Sequence, residues 1–268
     1  MNDLRRELAP ISSGGWKAIE EEARRTLKAV LAGRKLAAFE GPLGWQHAAV
    51  NLGRTRSVAS GAEPIETRVR RVQPLVELRA PFTLRREELD SIDRGAADPD
   101  LEPVVTAARQ LGRAEDLLVF EGLEAAGIQG ICRHSAHKTL RLTEKYDAYP
   151  NVVAEAIEVL REAGIAGPYA IALGPRCYTG LSKTTAPGGY PVIQHVRRLL
   201  DGPVVWAPAV DGAVVLSLRG GDFMLSFGRD ASIGYLSHDA QEVRLYLEES
   251  LTFRLLTPEA AVALRYNE

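Results

Sequence analysis

Between residues 14 and 32 the apolar positions recur at helical spacing. Trp16, Ile19, Ala23, Leu27, Val30 and Leu31 fall on one face, and Glu20, Glu21, Arg24, Arg25 and Lys28 occupy the rest. Ser12 or Ser13 can cap the start of this helix, and Gly33 can end it. A helix this early in a chain either packs back on a core or offers its apolar face to a partner. Gly41, Pro42 and Gly44 punctuate the next stretch. Two strand-like runs, about 53–59 and 65–72, then flank 'SGAEP'. Their sides carry Arg54, Arg56, Arg68, Arg70 and Arg71 against only Val58, Ile65, Val69 and Val72 as large apolar residues. A two-stranded ribbon with so little to bury is not stable alone in water. It is expected to lie against something outside itself, and a neighbouring subunit is the obvious candidate.

The pattern returns to strand over 74–84 and to a short helix over 86–95 that ends at glycine. A long helix is expected over 101–126, with Val104, Ala108, Leu111 and Leu118 as its inner stripe. At about 1.5 Å per residue it would reach roughly 40 Å, a spine rather than an average helix. Another helix is expected over 150–164 and a buried strand over 167–175. Residues 179–200 read as helix, Gly/Pro loop and helix. Strands follow in quick succession at 202–210, 212–220 and 222–228. Residues 242–264 begin as a long strand and end in a short helical turn after Pro258. There is no 20–50-residue repeat and no low-complexity tract. Helices and strands are mixed without strict β-α-β alternation, which favours an α+β fold over a doubly wound sheet.

Composition narrows the function classes. The 268 residues are 46% hydrophobic and 25% charged, with a formal net charge of −2, ordinary for a globular protein. Arginine pairs recur at 5–6, 24–25, 70–71, 85–86 and 197–198, but acids accompany most of them. They read as solvated surface, not as the concentrated basic footprint of a nucleic-acid binder. Two cysteines, Cys132 and Cys177, make no disulfide framework and fit no structural zinc spacing. The N-terminal 'MNDLRRELAPISSGGW' has no apolar stretch of the kind a secretory signal needs. No segment approaches the roughly 18 apolar residues of a membrane span. A soluble cytoplasmic protein is expected.

Catalytic signatures are sparse. There is no Walker phosphate loop, no G-x-G-x-x-G after a strand, no G-x-S-x-G elbow and no H-E-x-x-H. 'CRHSAH' puts Cys132, His134 and His137 within one short loop, but three ligand types without a distant fourth read as a polar loop. His47, His195 and His238 lie far apart. Glu20, Glu21 and Glu22 are consecutive, so they point in different directions around a helix and form no carboxylate pair. 'RGGDF' at 219–223 invites a phosphate-and-metal reading, yet a catalytic version would carry a second acid where Phe223 stands. Gly220-Gly221-Asp222 is better read as a tight turn between two strands, with Gly221 and Asp222 at positive φ.

Six blocks together carry a resemblance. They are 'LAPISSGGWKAIEEEA', 'GRKLAAFEGPLGW', 'PLVELRAPFTLRREELD', 'GIAGPYAIAL', 'RGGDFMLSFGRDASIGY' and 'LEESLTFRLLTPEAAVAL'. In this order and spacing, over nearly the whole chain, the sequence resembles an encapsulin, the bacterial nanocompartment shell protein of the linocin type. The resemblance implies the tailed-phage major capsid fold (Hong Kong 97-type), an α+β fold with a peripheral domain, an axial domain and an extended loop. By similarity, 1–49 would hold the N-terminal helix and the first part of the peripheral domain, and 50–73 the extended loop. Residues 74–135 would form the peripheral domain with the spine helix, 136–213 the axial domain and 214–268 the rest of the peripheral domain.

The resemblance implies containment rather than catalysis. Many copies, about 60 in the simplest case, would close into a hollow icosahedral shell, because symmetric closure satisfies every heterologous interface. The partners implied are the chain itself and a cargo enzyme, a dye-decolorising peroxidase or a ferritin-like iron oxidase, held by its C-terminal targeting peptide. Neither nucleic acid, membrane, cofactor nor metal is implied. Carried over by position, the peptide groove would take Leu27, Val30, Leu31 and Arg34 from the helix side and Asp230, Ile233 and Tyr235 from 'RDASIGY'. Lys183, Thr184, Thr185, Ala186, Pro187, Gly188, Gly189 and Tyr190 would ring a five-fold pore. A phage-type capsid protein is the alternative, but the chain lacks a basic interior-facing tail. Members of the family have also been labelled secreted bacteriocins or proteases.

Overall fold

A computed structural model describes residues 3–59, 61, 65–186 and 188–266. The chain opens with α1 (Ser13–Val30), β1 (Ala38–Glu40) and the hairpin β2 (Ala49–Val58) and β3 (Thr67–Pro74). β4 (Val76–Arg85), α2 (Arg86–Asp93) and α3 (Glu102–Phe120) come next, then the short strands β5 (Gly122–Leu123), β6 (Ile128–Gln129) and β7 (Leu140–Arg141). After these stand α4 (Tyr149–Glu162), β8 (Tyr169–Leu173), α5 (Pro175–Lys183), α6 (Val192–Leu200), β9 (Val204–Trp206) and β10 (Ala213–Ser217). β11 (Phe223–His238), β12 (Glu242–Leu255) and β13 (Ala261–Arg265) complete the chain.

Two sheets organise these elements. One has the order β1-β11-β12-β4, antiparallel except for β1 on β11. The other has the order β7-β13-β10-β8-β9. Its central strands β8 and β10 are buried along their whole length, as continuous apolar runs require. One core joins this sheet to α4, α5, α6 and the C-terminal end of α3. A second core lies between α1, α2, the first half of α3 and the β4-β12-β11 sheet.

α1 forms where the apolar period placed it, with the Ser12 hydroxyl accepting from Gly15 N–H at 3.0 Å. It ends at Val30 rather than at Gly33, and the amides of Ala32 and Gly33 are taken up by the Asp116 carboxylate of α3. α3 is shorter than its period suggested. It has 19 residues, roughly 28 Å of rise, and stops at Phe120. Gly122 comes soon after with φ +83°, which no continuing helix allows, and it enters the short β5–β6 ladder. β11 is longer than expected. It runs on through Asp230, Ser232 and Tyr235 to His238, with bulges near Arg229 and Tyr235 that interrupt the strict alternation of a regular strand. β13 succeeds the Pro258–Ala260 turn as an additional strand, supported by β10 and β7.

The Gly220-Gly221 turn is not a hairpin. β10 and β11 belong to different sheets, so the turn carries the chain between layers. The left-handed residues are Gly220 (φ +90°) and Gly221 (φ +82°), not Asp222. Asp222 is buried and pairs with Arg219, and its carbonyl accepts from Leu256 N–H. The hairpin β2–β3 contributes nothing to either core, and every described side chain of β3 except Gln73 is exposed.

Candidate docking groove

The C-terminal half of α1 and the middle of β11 face each other across a groove of about 640 Å³. Ala23, Leu27 and Leu31 line it from the α1 side, and Ala231, Ser232 and Ile233 from β11, with Leu247 of β12 beneath. Leu27, Leu31 and Ile233 are also members of the second core, so they turn only their outer edges to the groove. The rim is charged: Arg24, Lys28 and Lys35 on the helix side, Glu20 and Asp230 among the acids. The N-terminal segment closes one end. Leu4 lines the groove, and its carbonyl accepts from Tyr235 N–H at 2.9 Å. Arg6 pairs with Glu20 at 2.6 Å and lies over the Trp16 ring, and Asp3 pairs with Arg229.

The wall of the groove is an ion network around Arg34. Its Nε donates to both Glu115 oxygens at 2.9 Å, and its Nη2 to Glu115 Oε2 at 2.7 Å and Glu249 Oε2 at 2.9 Å. Nη1 reaches Asp230 Oδ1 at 2.7 Å, and the guanidinium stacks 4.4 Å from the Phe227 ring centroid. Glu115 and Glu249 are completely buried, whereas Asp230 is half exposed to the groove. Burial works against the Arg34 charge, but the hydrogen bonds and charge of Glu115, then Glu249 and Asp230, hold it firmly protonated. Burial pushes Glu115 up, opposed by Arg34. It pushes Glu249 well up, reinforced by the Glu115 charge and opposed by Arg34. Asp116 is pushed up to about 7 by burial, against the backbone amides of Gly33 and Ala32.

Of the residues expected in the groove, Leu27, Leu31, Arg34, Asp230 and Ile233 are brought together in it. Val30 and Tyr235 are not. Val30 faces away from the groove towards Gly112 of α3, and the Tyr235 hydroxyl bonds His238 Nδ1 at 2.6 Å. Sequence reading missed the two buried glutamates. Glu115 lies in a helical stretch that reads as mixed polar, and Glu249 in a strand where two glutamates adjoin. Their only signal is an acid placed on an otherwise apolar face. It also missed Leu4, Arg6 and Leu247, which come from distant parts of the chain.

In the expected pore loop, Lys183 is the last residue of α5. Pro187 lies outside the described residues. Thr185 bridges Pro191, Val192 N–H donates to the Thr184 carbonyl, and Ala186 N–H donates to the Tyr190 carbonyl at 2.8 Å. Gly189 N–H returns to the Ala186 carbonyl, and Gly188 shares the left-handed conformation of Gly189. Tyr190 packs edge-on to His195 at 4.7 Å. Elsewhere, the 'CRHSAH' loop is tied internally: Cys132 is buried, and His134 Nδ1 accepts from Gly130 N–H. His137 Nε2 meets the Glu259 carbonyl. Among the described residues no helix is long and apolar enough to cross a membrane.

Comparison with known proteins bears on family and fold. The Linocin_M18 family model, described as "Encapsulating protein for peroxidase", matches residues 1–252. The chain is similar to a type 1 encapsulin shell protein of Rhodospirillum rubrum, 55% identical over 99% of this chain and 97% of the relative. Among solved structures it is similar to a virus-like particle from Pyrococcus furiosus, with TM-score 0.61 and 16% identity. That likeness covers 93% of this chain and 99% of the other. It is also similar to the capsid of the Myoviridae phage XM1, with TM-score 0.55 and 10% identity over 87% of this chain and 90% of that one. At such low identity these structures speak for the fold alone, and it is the α+β fold of tailed-phage capsid proteins.

Proposed function

The chain belongs to the Linocin_M18 family of encapsulin shell proteins, and from that premise we propose that many copies of it close into a hollow icosahedral compartment around a cargo enzyme. The observation that carries this reading is the 55% identity to a type 1 encapsulin shell protein along essentially the whole of both chains. Relatives named as shell proteins support a structural role over a catalytic one, and a cytoplasmic compartment goes with it. The family description supports a peroxidase as cargo, and a ferritin-like iron oxidase is the other candidate.

The groove between α1 and β11 is the seat of the cargo's C-terminal targeting peptide. An extended peptide would lay apolar side chains against the edges of Leu27, Leu31 and Ile233, and charged groups would meet Arg34 and Asp230 at the rim. The loop 183–190 lines a passage at the five-fold axis, where small and hydroxyl side chains suit ions and small substrates. The exposed hairpin within 50–73 is the extended loop, and it finds its missing burial against a neighbouring copy. The stretch 136–213 is the axial domain, and the rest forms the peripheral domain.

One co-expression experiment tests assembly and docking together. The chain is produced with a fluorescent protein bearing the C-terminal segment of the enzyme encoded beside its gene, then examined by size exclusion and negative-stain microscopy. Hollow particles of megadalton mass that carry fluorescence are expected, and a monomer of 29.2 kDa would sink the shell reading. Ala231→Trp, from a half-buried position, should abolish loading without abolishing the particle. Undiminished loading in that variant would refute the groove.

A further inference from the structure

The Arg34 network holds more negative charge than its cation can balance. With all four groups ionised, Glu115, Glu249 and Asp230 would leave two uncompensated charges around one guanidinium. Asp230 is half exposed, so water can share its charge. Glu115 and Glu249 have no such outlet, because both are completely buried. Glu115 takes the better part of Arg34 through three contacts, and Glu249 takes one through Oε2. The other oxygen, Glu249 Oε1, is buried with no hydrogen-bond partner. A buried carboxylate oxygen with no donor is costly, and two carboxylates on one cation in a low-dielectric site do not both ionise. One proton removes both penalties: it neutralises one glutamate and lets that carboxyl donate to the other, which lies within hydrogen-bond reach.

We propose that Glu249 carries a proton at neutral pH and shares it with Glu115, and that this carboxyl–carboxylate pair positions Arg34 as the charged wall of the groove. Neutral Glu249 leaves Glu115 and Asp230 as the ionised partners, and Arg34 is then held between the core and the groove. Loss of the proton sets two buried carboxylates against each other and draws Arg34 inward. The groove wall loosens as a result. The link to docking rests on the groove being the peptide seat, whereas the shared proton does not.

The groups that face the pair come from every neighbouring element. Arg34 lies just beyond α1, and Asp230 stands on β11. Asp116 adjoins Glu115 on α3, with Lys35 acting on it. β4 sets Leu78 opposite Glu249, flanked by Glu77 and by Arg79, which is engaged by Glu248. β11 adds Arg229, also engaged by Glu248. The cation in contact with both glutamates is Arg34. Burial raises both glutamates above the ordinary value, Glu249 further because Glu115 lies beside it. A raised carboxyl contributes stability that is whole below the ordinary glutamate value and is lost as pH rises through the raised one. Asp116 is also pushed up, to about 7, so the test must leave it in place.

The test uses assembled shells of the full chain and the variants Glu249→Gln and Glu115→Gln. Glu249→Gln keeps the shape and supplies a permanent N–H donor, so it imitates the protonated state. Infrared spectra of the wild type near neutral pH should contain a protonated-carboxyl stretch that Glu249→Gln lacks and that fades as pH rises. The melting temperature of the wild type should fall more steeply than that of Glu249→Gln as pH rises above the ordinary glutamate range. Identical spectra, or parallel pH profiles, would overturn the shared proton. If Glu249→Gln fails to assemble, the Glu115→Gln spectrum decides in its place, because Asp116 would by itself give the wild type a band that fades at alkaline pH.

The groove arm uses the same tagged fluorescent reporter. As pH rises, the fluorescence anisotropy of the reporter inside wild-type shells should fall as it leaves the wall, and that inside Glu249→Gln shells should hold. An equal change in both would overturn the coupling to Arg34. Full loading of Ala231→Trp would instead remove the docking reading and leave the infrared result standing.

Discussion

Arg34 shows how a single side chain ties this molecule together. Its planar fork meets Glu115 along the Nε–Nη2 edge and still reaches Glu249 through Nη2 and Asp230 through Nη1, a geometry an ammonium cannot reproduce. Removing it leaves Glu115 and Glu249 buried without a cation. Arg34→Met is therefore expected to destabilise the subunit by about 3–5 kcal/mol, the usual cost of breaking a buried pair from one side. Arg34→Lys should recover only part of that. Chemical denaturation monitored by Trp fluorescence checks both, and an Arg34→Met midpoint equal to the wild type would refute the account. Arg34 and Asp230 stand out in the sequence only through family likeness. Glu115 and Glu249 show only as acids on otherwise apolar faces, a signal that says they are buried but not what they meet. They lie 81 and 215 positions from Arg34, and only folding brings them to it.

At the scale of elements, the contact between α1 and α3 sets the groove's back wall. Gly112 of α3 sits so close to α1 that a Cβ there would stand 2.7 Å from Val30 Cγ2 and 3.5 Å from Leu31 Cδ2. Alanine at Gly112 would gain about 1 kcal/mol of helix preference and lose it again in displacing a stiff β-branched side chain. Gly112→Leu has no such offset and should cost about 1–3 kcal/mol by overpacking. It should also shift Leu31 and weaken reporter loading. A melting temperature and loading unchanged from the wild type would refute the close-packing argument. α1 was legible because its apolar period and serine cap agree. The far end of α3 was not, because Glu121 to Ala126 suit a helix by composition, and Gly122 with the β5–β6 ladder decides against it. β11 was read too short for the converse reason: Asp230, Ala231 and Ser232 look like a loop, yet β12 supplies the pairing that keeps them in the sheet.

For the whole molecule, the proposal that the β2–β3 hairpin serves assembly and not folding can be tested by removing it. It adds no residue to either core, and Ala49 and Pro74 are paired at its base, so a short Gly-Ser turn can replace 50–73 without stretching the chain. The shortened subunit is expected to keep its far-UV circular dichroism and to elute as a small species instead of a shell. Shells of undiminished mass from that variant would show that the hairpin carries no intersubunit burial. The sequence by itself determined the α+β class, the amphipathic first helix, the hairpin with too little to bury and the family. Those features are written in local period, turn residues and block order, which need no partner to be read. Tertiary structure alone decided where helices and strands stop and which sheet each strand joins. It alone also assembled a network of three carboxylates on one arginine. Pairing, burial and charge balance depend on groups far apart in the chain, so their energies exist only once the chain has folded.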